Sequence, residues 1–346
     1  MARRKGRSRN GGGSWFGKAM AFLMLLAVAG AAAAGYFLVV PFGPEEERFV
    51  ELPAHSSSFR MGQILEHEGI IRSQFAFDLL RWVKKGRLKA GEYRFDHPVT
   101  ALEVYSRIAR GDVYTRTVVV PEGSSIFEIA TRMEQAGLGS RQAFLDAAVN
   151  ERELIADLDP NAGSLEGYLF PDTYHFPRKF GPHEVYGAMV RRFRQQAAEI
   201  GLTHKFHETV TMASLVERET AVAEERPLVA SVFVNRLSKK MPLMTDPAVI
   251  YGLEMAGRWR GTIYQSDLKT DTPYNTYLHA GLPPGPIANP GAKSLKAAMH
   301  PADSGYYYFV AAGANPQGRS LFAATLEEHT KNVAGYRAAM KNSGGR

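Results

Sequence analysis

The chain of 346 residues contains no cysteine. That excludes disulfides, thiolate zinc sites, iron–sulfur clusters and cysteine nucleophiles together. Acidic residues are missing from the first 18 positions, where Arg3, Arg4, Lys5, Arg7, Arg9 and Lys18 supply +6 of the net charge of +7. The basic balance therefore describes a tail. It does not describe the basic folded face that nucleic-acid binding requires, and no nucleic-acid partner is expected. Charge of either sign is missing from Ala19 to Pro44. There is no P-loop, no GxSxG elbow and no HExxH string. His204 and His207 form a bare HxxH pair, expected on a solvated helix start, so neither a metal nor a cofactor is implied.

The uncharged stretch is informative in itself. Residues 19–40 are almost all apolar. At 1.5 Å per residue they cover about 33 Å, enough for a hydrocarbon core of about 30 Å. Basic residues precede the run and Glu45, Glu46 and Glu47 follow it. The positive-inside rule then places residues 1–18 in the cytoplasm and everything after Val40 outside. A cleaved signal peptide is the rival, since residues 27–34 offer small-residue cleavage sites. The apolar run continues past them through Tyr36, Phe37, Leu38, Val39 and Val40, which favours an uncleaved anchor. Pro41-Phe-Gly-Pro44 reads as a short stiff exit from the bilayer.

The rest is 45% apolar and 22% charged over the whole chain, a composition that folds, and the length favours two or three domains. An internal repeat follows the anchor. Val50-Glu-Leu-Pro53 with Ser56, Ser57 and Phe59 matches Val118-Val-Val-Pro121 with Ser124, Ser125 and Phe127, and the match continues through Glu66/Glu134 and Gly69/Gly137. Further on, Leu88-Lys-Ala-Gly91 and Phe95 match Leu165-Glu-Gly167 and Phe170, and Glu103-Val-Tyr105 matches Glu184-Val-Tyr186. Alternating apolar residues ending in proline predict a strand. Ser124 and Ser125 are N-cap candidates for a helix carrying Ile126, Ile129, Ala130 and Met133, ended by Gly137. A second short helix over residues 141–149 and a returning strand over 91–95 complete the order strand, helix, helix, strand. The second copy, residues 116–150, resembles a LysM-like glycan-binding module. The alternative is a platform that binds nothing by itself.

Residues 209–220, TVTMASLVERET, predict a helix. On it Val210, Ala213, Ser214, Glu217 and Thr220 share one face, while Glu219 points roughly the other way, toward Arg218 or solvent. Burial among small and apolar neighbours would raise the pKa of Glu217, which suits a general acid. Further strings bear on a sugar site. They are SLEGYLFPDTY (164–174) with Glu166, Tyr168, Asp172 and Tyr174; Asn235, after an apolar helix over 228–234; Thr245 and Asp246; and Tyr274, Asn275 and Tyr277. Thr245-Asp246-Pro247 and Tyr274–Tyr277 are expected in loops. The Pro/Gly strings at 281–291 predict rigid turns. Aromatic faces pack on pyranose CH groups, and amides and hydroxyls match ring hydroxyls and N-acetyl groups.

ASLVERETAVAEER, EGYLFPDTY, TDPAVIYG, TPYNTY, GLPPGPIANPG and AAMHPA together resemble the endolytic murein transglycosylase (YceG-like) family. The resemblance runs over nearly the whole chain. It implies a bitopic protein of the bacterial inner membrane with its body in the periplasm. Such a protein cuts nascent peptidoglycan glycan strands between N-acetylmuramic acid and N-acetylglucosamine and leaves 1,6-anhydro-muramyl ends. It limits chain length beside the peptidoglycan synthases. The resemblance carries the catalytic role to the first Glu of SLVERET, Glu217. A hydrolytic muramidase using the same acid and a non-catalytic glycan-binding scaffold are the rivals. The expected architecture is α+β. It runs as a basic tail (1–18), a transmembrane helix (19–40), a linker (41–47), a first βααβ repeat (48–115), a LysM-like second repeat (116–160), a connecting segment (161–202) and a catalytic domain (203–346). The catalytic glutamate is expected in a cleft between the repeats and the larger domain, close to SLEGYLFPDTY.

Overall fold

The structure, a computed structural model, describes residues 13–313 and 318–343. Most of the basic tail lies outside the described residues. The chain divides into two compact units between Thr115 and Arg116.

The apolar run forms α1 (Gly13–Val39), whose segment Trp15–Val39 is long and apolar enough to cross a membrane. The rest of the first unit is β1 (Arg48–Leu52), α2 (Ser58–His67), α3 (Gln74–Lys84), β2 (Gly91–Phe95) and α4 (Ala101–Arg110). The second unit opens with the same series: β3 (Arg116–Val119), α5 (Ile126–Gln135), α6 (Arg141–Asn150), β4 (Thr173–Phe176) and α7 (Pro182–Ile200). Each copy is therefore strand, helix, helix, strand, helix, with its two strands paired antiparallel.

The repeat holds down to single contacts. Arg48 donates to the Glu68 carbonyl, and Arg116, 68 residues on, donates to the Ala136 carbonyl. Gly69 and Gly137 end the first helices with φ of 70° and 71°, a left-handed conformation that costs glycine little. Ser57 and Ser125 cap the same two helices; Ser125 and Glu128 form a full capping box. Buried aromatic pairs Phe77–Tyr105 and Phe144–Tyr186 stand 5.6 and 5.5 Å apart in the two copies.

The returning strand corrects the sequence alignment. Arg48 faces Phe95, and Arg116 faces Phe176, so Phe176 is the counterpart of Phe95. Phe170 lies short of that strand. The offset between copies is 68 residues at the first strand and 81 at the second, which places 13 extra residues in the second copy between α6 and β4. Those extra residues carry EGYLF. The second copy also closes at Phe176, beyond the expected limit at 160.

The second unit continues with α8 (Phe206–Glu219), α9 (Arg226–Ser238), α10 (Asp246–Met255), α11 (Ala292–Met299), a hairpin of β5 (Tyr308–Ala311) and β6 (Ser320–Ala323), and α12 (Leu326–Ser343). One hydrophobic core joins the second repeat copy to α7, Val210 and Ala213 of α8, and Leu295 of α11. A second core packs Met212, Leu215 and Val216 of α8 on Val229, Phe233, Ala248 and Tyr251. Helix α8 thus has a core on each side, and every residue from Val210 to Val216 is buried. Two expectations change here. Asn235 lies inside α9, because that helix runs on to Ser238. Asp246 opens α10 with Pro247 in its first turn, where a missing N–H costs nothing.

Candidate active site

Glu217 and Glu219 emerge where the all-round burial of α8 ends. Two residues at 100° each set them about 200° apart around the helix axis. They therefore face different neighbours.

Glu217 faces the joint between α8, α9 and α11. Its Oε1 accepts from Arg226 at 2.6 Å, and its Oε2 accepts from the Gly291 N–H at 2.9 Å. The Glu217 side chain is 4% exposed and that of Arg226 is 7% exposed. Burial pushes the Glu217 carboxyl upward, against the opposing pull of the Gly291 N–H and the Arg226 charge. The direction matches the sequence expectation. Both oxygens are occupied by fixed donors, and the group lines neither of the two cavities described below.

Glu219 faces the other way, into a cavity of about 410 Å³. The polar walls are Arg236, Asp246, Tyr277, Tyr308 and His329; Phe233, Leu243, Phe309 and Leu326 supply the apolar ones. Burial, reinforced by the nearby Asp246 charge, pushes the Glu219 carboxyl up to about 7 against the Thr245 hydroxyl and the Arg236 charge. The expectation of a solvated Glu219 beside Arg218 is thereby corrected: Arg218 points elsewhere and donates to the Gly123 carbonyl. Arg236 is held by the carbonyls of Tyr307 and Leu243, each at 2.7 Å, and its guanidinium lies 5.3 Å from the Tyr308 ring centroid. The Tyr277 hydroxyl donates to Asp246 Oδ1 at 2.6 Å. His329 stacks on Tyr308, and burial together with the Arg236 charge lowers its pKa.

Of the sequence candidates, the fold brings Thr245, Asp246 and Tyr277 to Glu219. Glu166 and Tyr274 line a second cavity of about 610 Å³, walled also by Phe127 and Gln142 of the second repeat copy and Tyr251 of α10. Glu166 is fully buried there. Its oxygens accept from the Ile126 N–H and from Asn289 Nδ2, and burial pushes its carboxyl to about 8. The remaining five make polar contacts within the fold. Tyr168 is buried with its hydroxyl on Asp159, Asp172 pairs with Arg192, and Tyr174 donates to the Phe170 carbonyl. Asn235 holds the carbonyls of Ser304 and Tyr306, and Asn275 those of Leu268 and Thr270. His207, expected on a solvated helix start, does lie in the first turn of α8 but is half-buried against Asp159. Arg236, Tyr308 and His329 escaped the sequence reading; an arginine one residue after Asn235 was the available signal.

The SLEGYLFPDTY segment does lie beside Glu217, as a packed joint. Asn289 accepts from the Leu169 N–H and donates to Glu166 and to the Ser124 carbonyl. Two residues later, Gly291 reaches Glu217.

The YceG-like family profile matches residues 50–335. The chain belongs to the YceG-like family. One relative is the endolytic murein transglycosylase of Bacillus subtilis, 32% identical over 335 residues that cover 90% of this chain and 91% of that protein. The endolytic murein transglycosylase of Streptococcus pneumoniae D39 is 28% identical over 91% of this chain and 64% of its own length. Among solved structures, a YceG-like protein from Listeria monocytogenes superposes with a TM-score of 0.53 at 31% identity, over 83% of this chain and 99% of that one. In this YceG-like chain both carboxylates of the VERE string are buried, and they differ in what surrounds them.

Proposed function

We infer that this chain is an endolytic murein transglycosylase, and we propose Glu219 as its general acid. One observation carries the assignment: the Glu219 carboxyl opens into a cavity and holds its proton to about pH 7. Glu217 is proposed as a structural ion-pair partner of Arg226.

The chemistry needs one carboxyl group. Protonated Glu219 gives its proton to the oxygen linking N-acetylmuramic acid to N-acetylglucosamine, and the C1–O bond breaks as an oxocarbenium-like centre develops at the muramyl C1. The new carboxylate then takes the proton of the same sugar's C6 hydroxyl. O6 attacks C1 and closes the 1,6-anhydro ring, and Glu219 ends protonated as it began. The nucleophile belongs to the substrate, so no second carboxylate has to position a water. Arg236, fixed by two carbonyls, favours the carboxylate that forms after the first transfer. Tyr277, Tyr308 and His329 offer the aromatic and polar surfaces that a sugar ring requires.

We propose that the larger cavity gives the LysM-like second copy its glycan contact, since α5 and α6 face Tyr251 and Tyr274 across it. We propose further that α1 holds the chain in the inner membrane with the tail cytoplasmic and the body periplasmic, beside the synthases; the +6 of residues 1–18 and Glu45–Glu47 after the helix support that orientation. Mass spectrometry of sacculi digested by the full chain tests the reaction. Anhydro-muramyl ends are expected. Reducing ends that have gained water would instead make the protein a hydrolytic muramidase.

A further inference from the structure

We propose that the outer face of α3 rests on the bilayer surface beside the point where α1 leaves it. This rests on reading α1 as a membrane span and is independent of the assignment of Glu219. Helix α3 buries Ala76, Phe77 and Leu80 in the first unit's core. Its other face exposes Phe75 (72%), Leu79 (41%), Trp82 (75%) and Val83 (62%). Those positions fall at i, i+4, i+7 and i+8, which makes one continuous apolar stripe. An apolar stripe of this kind marks an interaction surface, and its position identifies the partner.

The position follows from α1. That helix packs against α3 and α4, with Leu38 set against the first unit's core. Contact is confined to its C-terminal end, where Ala34, Gly35 and Leu38 are partly covered, while nearly all of residues 15–33 are exposed. The exit is fastened. The Arg72 guanidinium lies 5.0 Å from the Tyr36 ring centroid and 4.7 Å from that of Phe42, and it donates to the Pro41 carbonyl at 3.3 Å. Phe42 also bridges to Val99. The 25 residues of Trp15–Val39 rise about 37 Å, roughly 7 Å more than a hydrocarbon core. The 34–38 stretch that meets α3 and α4 forms the last turn or so of that rise, ending two residues before Val40, where the apolar run closes at the outer edge of the span. A span seated in the core therefore sets α3 at headgroup level.

The residues suit that level. Tryptophan concentrates at membrane interfaces. Lys84, Lys85 and Arg87, at and just beyond the end of α3, are exposed and match anionic phospholipid headgroups.

The absence of cysteine gives a direct test. Full-length F75C, L79C and W82C, each carrying a nitroxide, are reconstituted in vesicles of phosphatidylethanolamine and phosphatidylglycerol. L25C in α1 and H67C on α2, whose native side chain is 86% exposed, are the references. Collision with oxygen, which concentrates in lipid, is compared with collision with an aqueous nickel chelate. The three α3 sites are expected to favour oxygen over nickel by at least about threefold relative to H67C, with L25C higher still. Ratios at the α3 sites equal to that of H67C, with L25C in lipid, overturn the proposal alone. An L25C label in water overturns the span and the proposal with it. Protection of the α3 sites from both reagents means a protein covers the stripe, a second copy included, and also overturns it.

Discussion

Glu219 is flanked by one cation and one anion, Arg236 and Asp246, inside a partly apolar cavity, and burial with the Asp246 charge outweighs Arg236 and the Thr245 hydroxyl. Its proton is held up to about 7 in the folded chain, against 4.5 for an unperturbed glutamate. General-acid activity is expected to fall as pH rises through about 7, measured as the initial rate of strand cleavage. The same displacement has a stability sign. The folded value lies above the unfolded one, so this contribution is complete below pH 4.5 and is lost as pH rises through about 7. E219Q should therefore be more stable than the parent at pH 8, by up to about 3 kcal/mol, and gain little at pH 4; urea unfolding at the two pH values checks this. Glu217 behaves differently. E217Q leaves the buried Arg226 with only the half-exposed Glu122 carboxylate, 3.5 Å away, to balance its charge, and up to about 3 kcal/mol of stability should be lost. The sequence reading found the burial of Glu217 from its small neighbours. It missed the pairing, because Arg226 belongs to the next helix and the face of α8 does not reveal it. The surroundings of Glu219 escaped for the same reason: they come from α9, the start of α10, the loop at Tyr277, β5 and α12.

Between elements, the decisive contacts run through the segment read from sequence as rigid turns. The Ser214 hydroxyl accepts from the Ile287 N–H, Asn289 ties the 121–125 loop to the inserted EGYLF stretch, and Gly291 reaches Glu217. Proline and glycine announced a turn; what the turn fastens depends on residues more than 70 positions away and was not legible. N289A takes their shared partner from the Leu169 N–H and from Glu166 Oε1 in a buried place, while Glu166 keeps the Ile126 N–H, and a loss of about 2–4 kcal/mol is expected, read as a lower unfolding midpoint. Gly167 adds a steric constraint. Its φ is +88°, and an added Cβ would stand 2.6 Å from both Pro286 and Val210. The repeat was legible wherever the copies kept one offset, since strand, cap and helix-ending glycine recur in register. It failed at the returning strand, where Gly167 and Phe170 imitate Gly91 and Phe95 inside the 13-residue insertion.

At the scale of the whole molecule, the two units have separate cores. Leu65, Phe77, Phe95 and Val104 belong to the first, and none of the residues around Glu219 does. L65A should lower the first unit's stability by about 2–5 kcal/mol while leaving the second unit's transition in place, as two-transition calorimetry would record. Helix α1 was the most legible feature, because an uncharged apolar run of that length is long enough to cross a membrane. The stripe on α3 was not legible in the same way, since only the packing of α1 shows which face of that helix is left uncovered.

The most direct test of the account compares E219Q with E217Q, as the rate of anhydro-muramyl product formed per folded molecule. E219Q should keep its fold and lose about 10²–10⁴-fold in rate, while E217Q, corrected for its folded fraction, stays within about tenfold of the parent. A folded E217Q without activity beside an active E219Q would contradict the account.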